Sequence, residues 1–385
     1  VLHSDELEGI PIKLSAAVSS TEDRIMADLV ERIRASMEIS ATADWQLNRL
    51  RMLGESDEYI RETLQDLLGF SDKEMARLYS DTLGQAYIRD KALYDASGVK
   101  LIPFKENKEL QTIIGAVKKQ TSGTFRNITN TMGFAKRVNG KIVFTELSKY
   151  YQEALDGAMM DLTTGTYDYN SILKRIVGEM TSSGLRTVDY ASGRSFRVES
   201  AMRMALMTGF NQTVAKINDD VAEQLDTDYF EVDWHGGARP SHQKWQGKVY
   251  SKKQLTTICG LGSAGGLLGI NCYHSYNPFV PGASVRNYTD KQLKQMNADE
   301  NTPTPYKGQE YTTYEATQRQ RQLEALMRKQ RQEIKLLEKG GADKDEMSIY
   351  RASYRGTSAQ YNEFSEAMGI PQQRKRVTVD GLSKV

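Results

Sequence analysis

At 385 residues, with 39% apolar and 26% charged side chains, the chain is long enough for more than one hydrophobic core and too apolar for wholesale disorder. Eight prolines and 30 glycines exclude collagen-like and low-complexity classes, and two cysteines exclude a disulfide scaffold, which suits assembly in a reducing cytoplasm. A mean hydropathy of -0.57 and no apolar run of about 18 residues predict no membrane span, and the opening Val1-Leu2-His3-Ser4-Asp5-Glu6 has neither the basic nor the apolar part of a secretion leader.

Formal charges nearly cancel, 51 Lys and Arg against 50 Asp and Glu, which argues against a global nucleic-acid coat. Their placement is uneven. Residues 1–100 hold 12 basic and 19 acidic side chains, whereas residues 234–289 hold no Asp or Glu and six basic residues, Arg239, Lys244, Lys248, Lys252, Lys253 and Arg286. Paired-carboxylate chemistry or a hard-cation site there would need acids from elsewhere in the fold. Lys244, Lys248, Lys252, Lys253 and Arg286 are candidates for facing nucleic acid; the competing reading is a set of solvated lysines.

In chain order, residues 1–165 read as helix after helix. Apolar stripes at three and four spacing run through Ile25, Leu29, Ile33 and Met37, then Ile60, Leu64, Leu67 and Leu68, closed by Gly69. Ser71-x-x-Glu74 resembles a capping box for a new helix through Met75, Leu78, Tyr79 and Leu83. Stripes at Leu110, Ile113, Ile114 and Val117, and at Leu147, Tyr151, Leu155 and Met159, continue the series.

From about residue 166 the texture becomes α+β. A helix around Ile172 to Met180 precedes a strand at Thr187-Val188-Asp189-Tyr190, a turn at Ser192-Gly193, a helix from Ala201 to Leu225 and a strand at Tyr229 to Trp234 that delivers His235 into a Gly-rich loop. After Pro281 the chain reads as a polar linker through Asn301-Thr302-Pro303-Thr304-Pro305, a basic helix from near Glu315 to Gly340-Gly341, and a basic tail from Gln372 to Gly381. The expected architecture is α+β and predominantly helical: a helical region over 1–165, a compact α+β unit over 166–288, and a linker, basic helix and tail over 289–385.

Residues 235–274 concentrate the chemistry, with three of the four histidines and both cysteines. His235, His242, Cys272 and His274 are the zinc candidates, with Cys259 in reserve. Structural zinc sites favour two close ligand pairs, and only Cys272-x-His274 is close, so no obligatory zinc and no other cofactor is expected. Gly260-x-Gly262-x-x-Gly265 matches a dinucleotide fingerprint in form but lacks the following helix and acid, so its glycines are read as loop turns. Ser241, His242 and Asp233 could be drawn as a triad, but sequence neighbours carry little of a triad's geometry.

Ala238-Arg239-Pro240-Ser241-His242-Gln243-Lys244-Trp245-Gln246-Gly247-Lys248-Val249-Tyr250, followed by Gly269-Ile270-Asn271-Cys272-Tyr273-His274, resembles the phage minor capsid protein 2 family, related to the Mu-F-like head morphogenesis proteins. The likeness extends to Thr42-Ala43-Asp44-Trp45-Gln46-Leu47, Gly209-Phe210-Asn211-Gln212-Thr213, Tyr361-Asn362-Glu363-Phe364-Ser365 and Gln372-Gln373-Arg374. The motif and structural residues are His235, just ahead of the first block, with Arg239, Ser241, His242, Trp245, Gly247, Asn271, Cys272 and His274, and no catalytic residue carries over. The resemblance implies a structural, non-enzymatic virion component of the capsid interior, assembled in the host cytoplasm. It implies the portal protein as partner, with major capsid or scaffolding protein and packaged DNA as further candidates. The competing class is an enzyme, either a metal-assisted hydrolase around His242 or an injected effector.

Overall fold

The computed structural model describes residues 9–36, 42–89, 95, 98, 100–139, 141–189 and 193–378. Two compact units emerge, each made of three separated stretches: Val1–Lys13, Ser71–Thr124 and Arg203–Arg319 in one, Leu14–Phe70, Phe125–Met202 and Gln320–Val385 in the other. The architecture is α+β and predominantly helical, with antiparallel sheets.

In the second of these units, helix Ile12–Ser36 buries Leu14, Val18, Ile25, Leu29 and Ile33, the face that three and four spacing predicts. Met37, the last member of that stripe, lies outside the described residues, as do Tyr190, Ser192 and the end of the tail from Val379. Tyr151 donates its hydroxyl hydrogen to the Ile25 carbonyl at 2.5 Å, tying helix Leu147–Thr164 to the first helix. A four-stranded sheet in the order β2-β1-β3-β4 is built from β1 Met132–Val138, β2 Lys141–Glu146, β3 Arg186–Asp189 and β4 Arg194–Arg197.

The β1–β2 hairpin corrects the all-helical reading of residues 1–165. Asn139, at φ 51, sits at its turn, and Asn139-Gly140 is the local signal that calls for a hairpin. Gly133 lies so close to β2 that a Cβ there would fall 2.1 Å from the Thr145 carbonyl oxygen. A second correction is that helix Thr42–Arg77 runs through Gly69, where a stop was expected. One glycine in an exposed helical position costs only about 1 kcal/mol, and Glu74 pairs with Arg77 at 2.6 Å.

Residues beyond the expected basic helix are more ordered than a tail. Helix Thr313–Gly340 is followed by a turn at Gly341, φ 78, and a helix Lys344–Ala367 capped by Asp343. The two run antiparallel, since Gln320 reaches Ser365 at 3.0 Å and Gln330 reaches Ser353 at 3.0 Å. The basic segment folds back on them: the Gln373 backbone N–H donates to the Tyr361 hydroxyl at 2.7 Å, and Arg376 lies 3.9 Å from Glu324.

In the other unit, helix Val198–Gln224 contributes Gly209, where a Cβ would meet the Tyr79 hydroxyl and Thr121 Oγ1, each at 2.6 Å. Glycine is required by that close approach. The π-helical turn Leu78–Thr82 buries Leu78 and Tyr79 side by side, and Tyr79 meets Phe210 edge-on at 6.0 Å. A three-stranded antiparallel sheet has β5 Tyr229–Val232 at its centre, between β6 Val249–Ser251 and β7 Tyr276–Phe279.

The stretch read as a linker is also ordered. Thr289 and Gln292 form a capping box at the start of helix Asp290–Asn301, and β8 Thr304–Tyr306 turns into β9 Gln309–Tyr311 through Lys307 and Gly308, both at positive φ. That helix is polar around most of its surface and buries Leu293, so apolar periodicity could not reveal it.

Candidate functional site

Short strands leave most of residues 233–275 to loops, and side chains complete their hydrogen bonds. After β5 the chain passes Gly237, φ 68, and enters a single helical turn, Pro240–Gln243, with Pro at its first position. That turn buries His242 and Gln243 and leaves Ser241 and Lys244 exposed. Gly247, φ 72, then brings the backbone against Leu293: a Cβ there would fall 2.4 Å from Leu293 Cδ2.

Helix Lys252–Thr257 starts with a Ser251/Gln254 capping box, and a tight loop returns the chain toward Cys272. Gly260 and Gly262 have φ 69 and 89, and a Cβ on Gly266 or Gly269 would fall 2.1 or 2.5 Å from backbone oxygens. Of the three fingerprint glycines, Gly260 and Gly262 make loop turns, whereas Gly265 has neither a positive φ nor a close neighbour; Gly266 and Gly269 are the ones packed against backbone. Beneath them Phe230, Val232, Trp245, Tyr250, Leu255, Cys259, Leu267 and Tyr276 form a buried cluster, with Trp245 only 5% exposed.

His242, Cys272 and His274 meet above this core, 2%, 3% and 0% exposed. His242 Nδ1 lies 3.4 Å from His274 Nδ1, and Cys272 Sγ lies 3.8 Å from the first and 3.5 Å from the second. One donor atom from each residue falls within 4.8 Å of the others, the geometry of three converging metal ligands. The Trp245 ring packs on both imidazoles, at 4.6 and 4.7 Å between centroids. His235, the fourth candidate, stacks on His274 at 4.2 Å, while its own Nδ1 faces the Gly236 carbonyl at 2.9 Å.

The remaining nitrogens of the two buried rings are also engaged. His242 Nε2–H donates to the Gly265 carbonyl at 2.9 Å, and His274 Nε2 faces the Gln246 side-chain amide at 2.8 Å. Burial is the leading cause that lowers the pKa of both imidazoles, and it raises that of the Cys272 thiol. Both shifts favour the neutral imidazoles. A Ser241–His242–Asp233 triad is not assembled: both ring nitrogens of His242 face other groups, and Asp233 Oδ1 accepts from Asn277 at 3.1 Å. Burial, and then the neighbouring Glu231 carboxylate, push Asp233 up to about 7.

The amide of Gln246 has two orientations with different consequences. With its carbonyl toward His274 it accepts from His274 Nε2–H at 2.8 Å and from the His235 backbone N–H at 3.3 Å. With the amide reversed, its nitrogen donates to His274 Nε2 and its oxygen accepts from the Trp234 indole at 2.8 Å. The orientation of Gln246 thus sets the tautomer of His274.

Asn297 is a functional-site residue that sequence reasoning missed. Its Oδ1 accepts from the Trp234 indole N–H at 3.2 Å and its Nδ2 donates to the Gln243 carbonyl at 3.1 Å. Glu300 accepts from the Gly237 backbone N–H at 2.6 Å, and Asn301 reaches Gln243 Oε1 at 2.8 Å. All three project from the helix that sequence reads as linker, and only its capping box could have pointed to them.

The basic residues are divided. Arg239 reaches across the layer to the carbonyls of Ile270 and Asn271, at 2.8 and 3.3 Å, with Asn271 held at φ 54. Lys252 pairs with Asp219 and lies over the Phe230 and Tyr276 rings, Arg286 pairs with Asp290 at 2.8 Å, and Lys248 donates to the Lys244 carbonyl at 3.0 Å. Lys244 and Lys253 are exposed. Acids from outside residues 234–289 thus balance two of these cations. A cavity of about 10 Å³ beside Cys272, lined also by Arg203, Asn211 and Tyr273, has room for about one water.

Among the described residues, no helix is long and apolar enough to cross a membrane. No curated protein and no solved structure matches the chain. The description of phage minor capsid protein 2 matches residues 2–366, nearly the whole length, and it takes in the loop layer, the Gly209 helix crossing and the Tyr361 seam. The chain therefore belongs to the phage minor capsid protein 2 family, whose members are structural proteins of phage particles.

Proposed function

We propose that this protein works inside the phage head as a portal-associated structural component, aiding head assembly or the packaging and ejection of DNA. One observation carries the non-enzymatic part of this reading: the most distinctive motif residues are spent on packing and backbone hydrogen bonds. Trp245 and Gly247 close the loop layer, Gly209 permits a helix crossing, and Tyr361, Phe364 and Ser365 are buried along a helix pair. Such residues hold a scaffold, and what they hold in place is the surface that partners meet. The family membership supports the virion setting.

The portal protein is the first partner, with major capsid or scaffolding protein and packaged DNA following. The exposed Lys244 and Lys253 are the best-placed of the basic residues for a phosphate backbone. Co-expression with the cognate portal and major capsid proteins, followed by sedimentation, tests the reading. Enrichment in portal complexes or proheads is expected; free protein throughout the gradient would overturn it.

A further inference from the structure

We propose that His242, Cys272 and His274 form a structural zinc site that cross-links the loop layer. The first support is geometric. With zinc–nitrogen distances of about 2.05 Å and zinc–sulfur of about 2.3 Å, a tetrahedral ion sets its ligand atoms about 3.35 Å apart for two nitrogens and about 3.55 Å for nitrogen and sulfur. The corresponding separations here are 3.4 Å between the two Nδ1 atoms, and 3.5 and 3.8 Å from Cys272 Sγ. Three donor atoms already stand close to the edges of one tetrahedral face.

The second support is the hydrogen-bond arrangement around them. His242 Nε2–H is anchored on the Gly265 carbonyl at 2.9 Å, which leaves Nδ1 as a lone pair aimed into the cluster. His274 Nε2–H does the same against Gln246 when that amide presents its oxygen, at 2.8 Å. Outer partners that fix an imidazole tautomer and direct its free nitrogen are the usual support of a metal ligand. That orientation has a cost, since Gln246 Nε2 then stands 2.8 Å from the Trp234 indole nitrogen, donor against donor, and the two share the Asn297 oxygen at 3.3 and 3.2 Å; ligation of His274 must outweigh it.

Without an ion, two facing Nδ1 lone pairs 3.4 Å apart repel, which favours the other tautomer of His274 with Gln246 reversed. Metal binding and Gln246 orientation are therefore one coupled event. Binding at neutral pH releases the Cys272 thiol proton to solvent and places a thiolate and two neutral imidazoles on a divalent ion. That donor set, with no carboxylate among the three, selects a borderline-soft ion and disfavours magnesium or calcium. The fourth position falls to water, since the nearby His235 ring lies outside the converging set.

Burial of all three ligands leaves no room for a substrate, so the ion acts as a staple between the helical turn at 240–243 and residues 272–274. The full chain, purified without chelator, should contain one zinc per protein by elemental analysis. Apo protein titrated with cobalt(II) under reducing conditions should develop tetrahedral visible bands and a near-ultraviolet thiolate-to-cobalt band, both saturating at one equivalent and abolished by zinc. Cys272→Ser should lose the thiolate band and Cys259→Ser should keep it. If Cys272→Ser fails to fold, His274→Cys supplies the second readout, a thiolate band of about double intensity. Sub-stoichiometric zinc together with no thiolate band, or a band that survives Cys272→Ser, overturns the site.

Discussion

The loop layer over residues 234–301 and the C-terminal helix pair solve the same problem in opposite ways. In the helix pair the backbone satisfies itself, and polar side chains are free to form a seam, Gln320 to Ser365 and Tyr361 to Glu324 at 3.2 Å. In the loop layer the strands are three or four residues long, so backbone carbonyls of Ala238, Gln243, Gly265 and Ile270 are taken by side chains of Gln243, Asn297, His242 and Arg239. A side chain lost from the seam costs its own contact. One lost from the loop layer also orphans backbone, which is the more expensive failure.

The sharpest way to break this contrast is Trp245→Ala. Removing a ring that lies against both buried imidazoles should lower stability by about 3–5 kcal/mol in urea denaturation. An unchanged midpoint would mean that the loop layer does not rest on that ring. Next in size is Gly247→Ala, which combines positive φ with a methyl 2.4 Å from Leu293 and should cost about 1–3 kcal/mol. Leu293→Ala in the same chain should recover part of this; strict additivity in the double-mutant cycle would refute the clash.

In the helix pair, Tyr361→Phe should cost about 1 kcal/mol, because the hydroxyl both donates to Glu324 and accepts from the Gln373 N–H. It should also speed tryptic cleavage at Arg374, Lys375 and Arg376, and an unaltered digestion rate would show that the segment is held by other contacts. The smallest effect is a pH slope. Burial, opposed by Arg197 and reinforced by Asp23, raises Glu22 from 4.5 to about 7. A raised carboxyl contributes stability that is complete below about pH 4.5 and lost as pH climbs through about 7. Stability should thus fall from pH 5 to 8 through this group, and Glu22→Gln should flatten that component; an equal slope in the variant would count against it.

Legibility in the sequence followed the physical carrier of each feature. Stripes such as Ile25, Leu29 and Ile33 announce their helix because burial is periodic there. Helix Asp290–Asn301 buries a single leucine, so only its Thr289/Gln292 capping box speaks for it, and Asn139-Gly140 is two residues of signal for a whole hairpin. The candidate site was legible as a crowd of His and Cys, but the convergence of His242 with residues 30 positions away depends on how the Gly260–Gly269 loop closes. Asn297 carries no local mark of its role, since an asparagine on a polar helix is unremarkable until its partner is known.

The interleaving of the two compact units has a bearing on synthesis. One unit draws on Leu14–Phe70, on Phe125–Met202 and again on residues from Gln320 onward, so the early helices wait for about 250 further residues before their full set of neighbours exists. At translation speeds of about 5–20 residues per second that is roughly 12–50 s during which apolar faces such as Val18, Ile25 and Ile33 lack part of their cover. During that interval the uncovered apolar faces are the part of the nascent chain most open to aggregation.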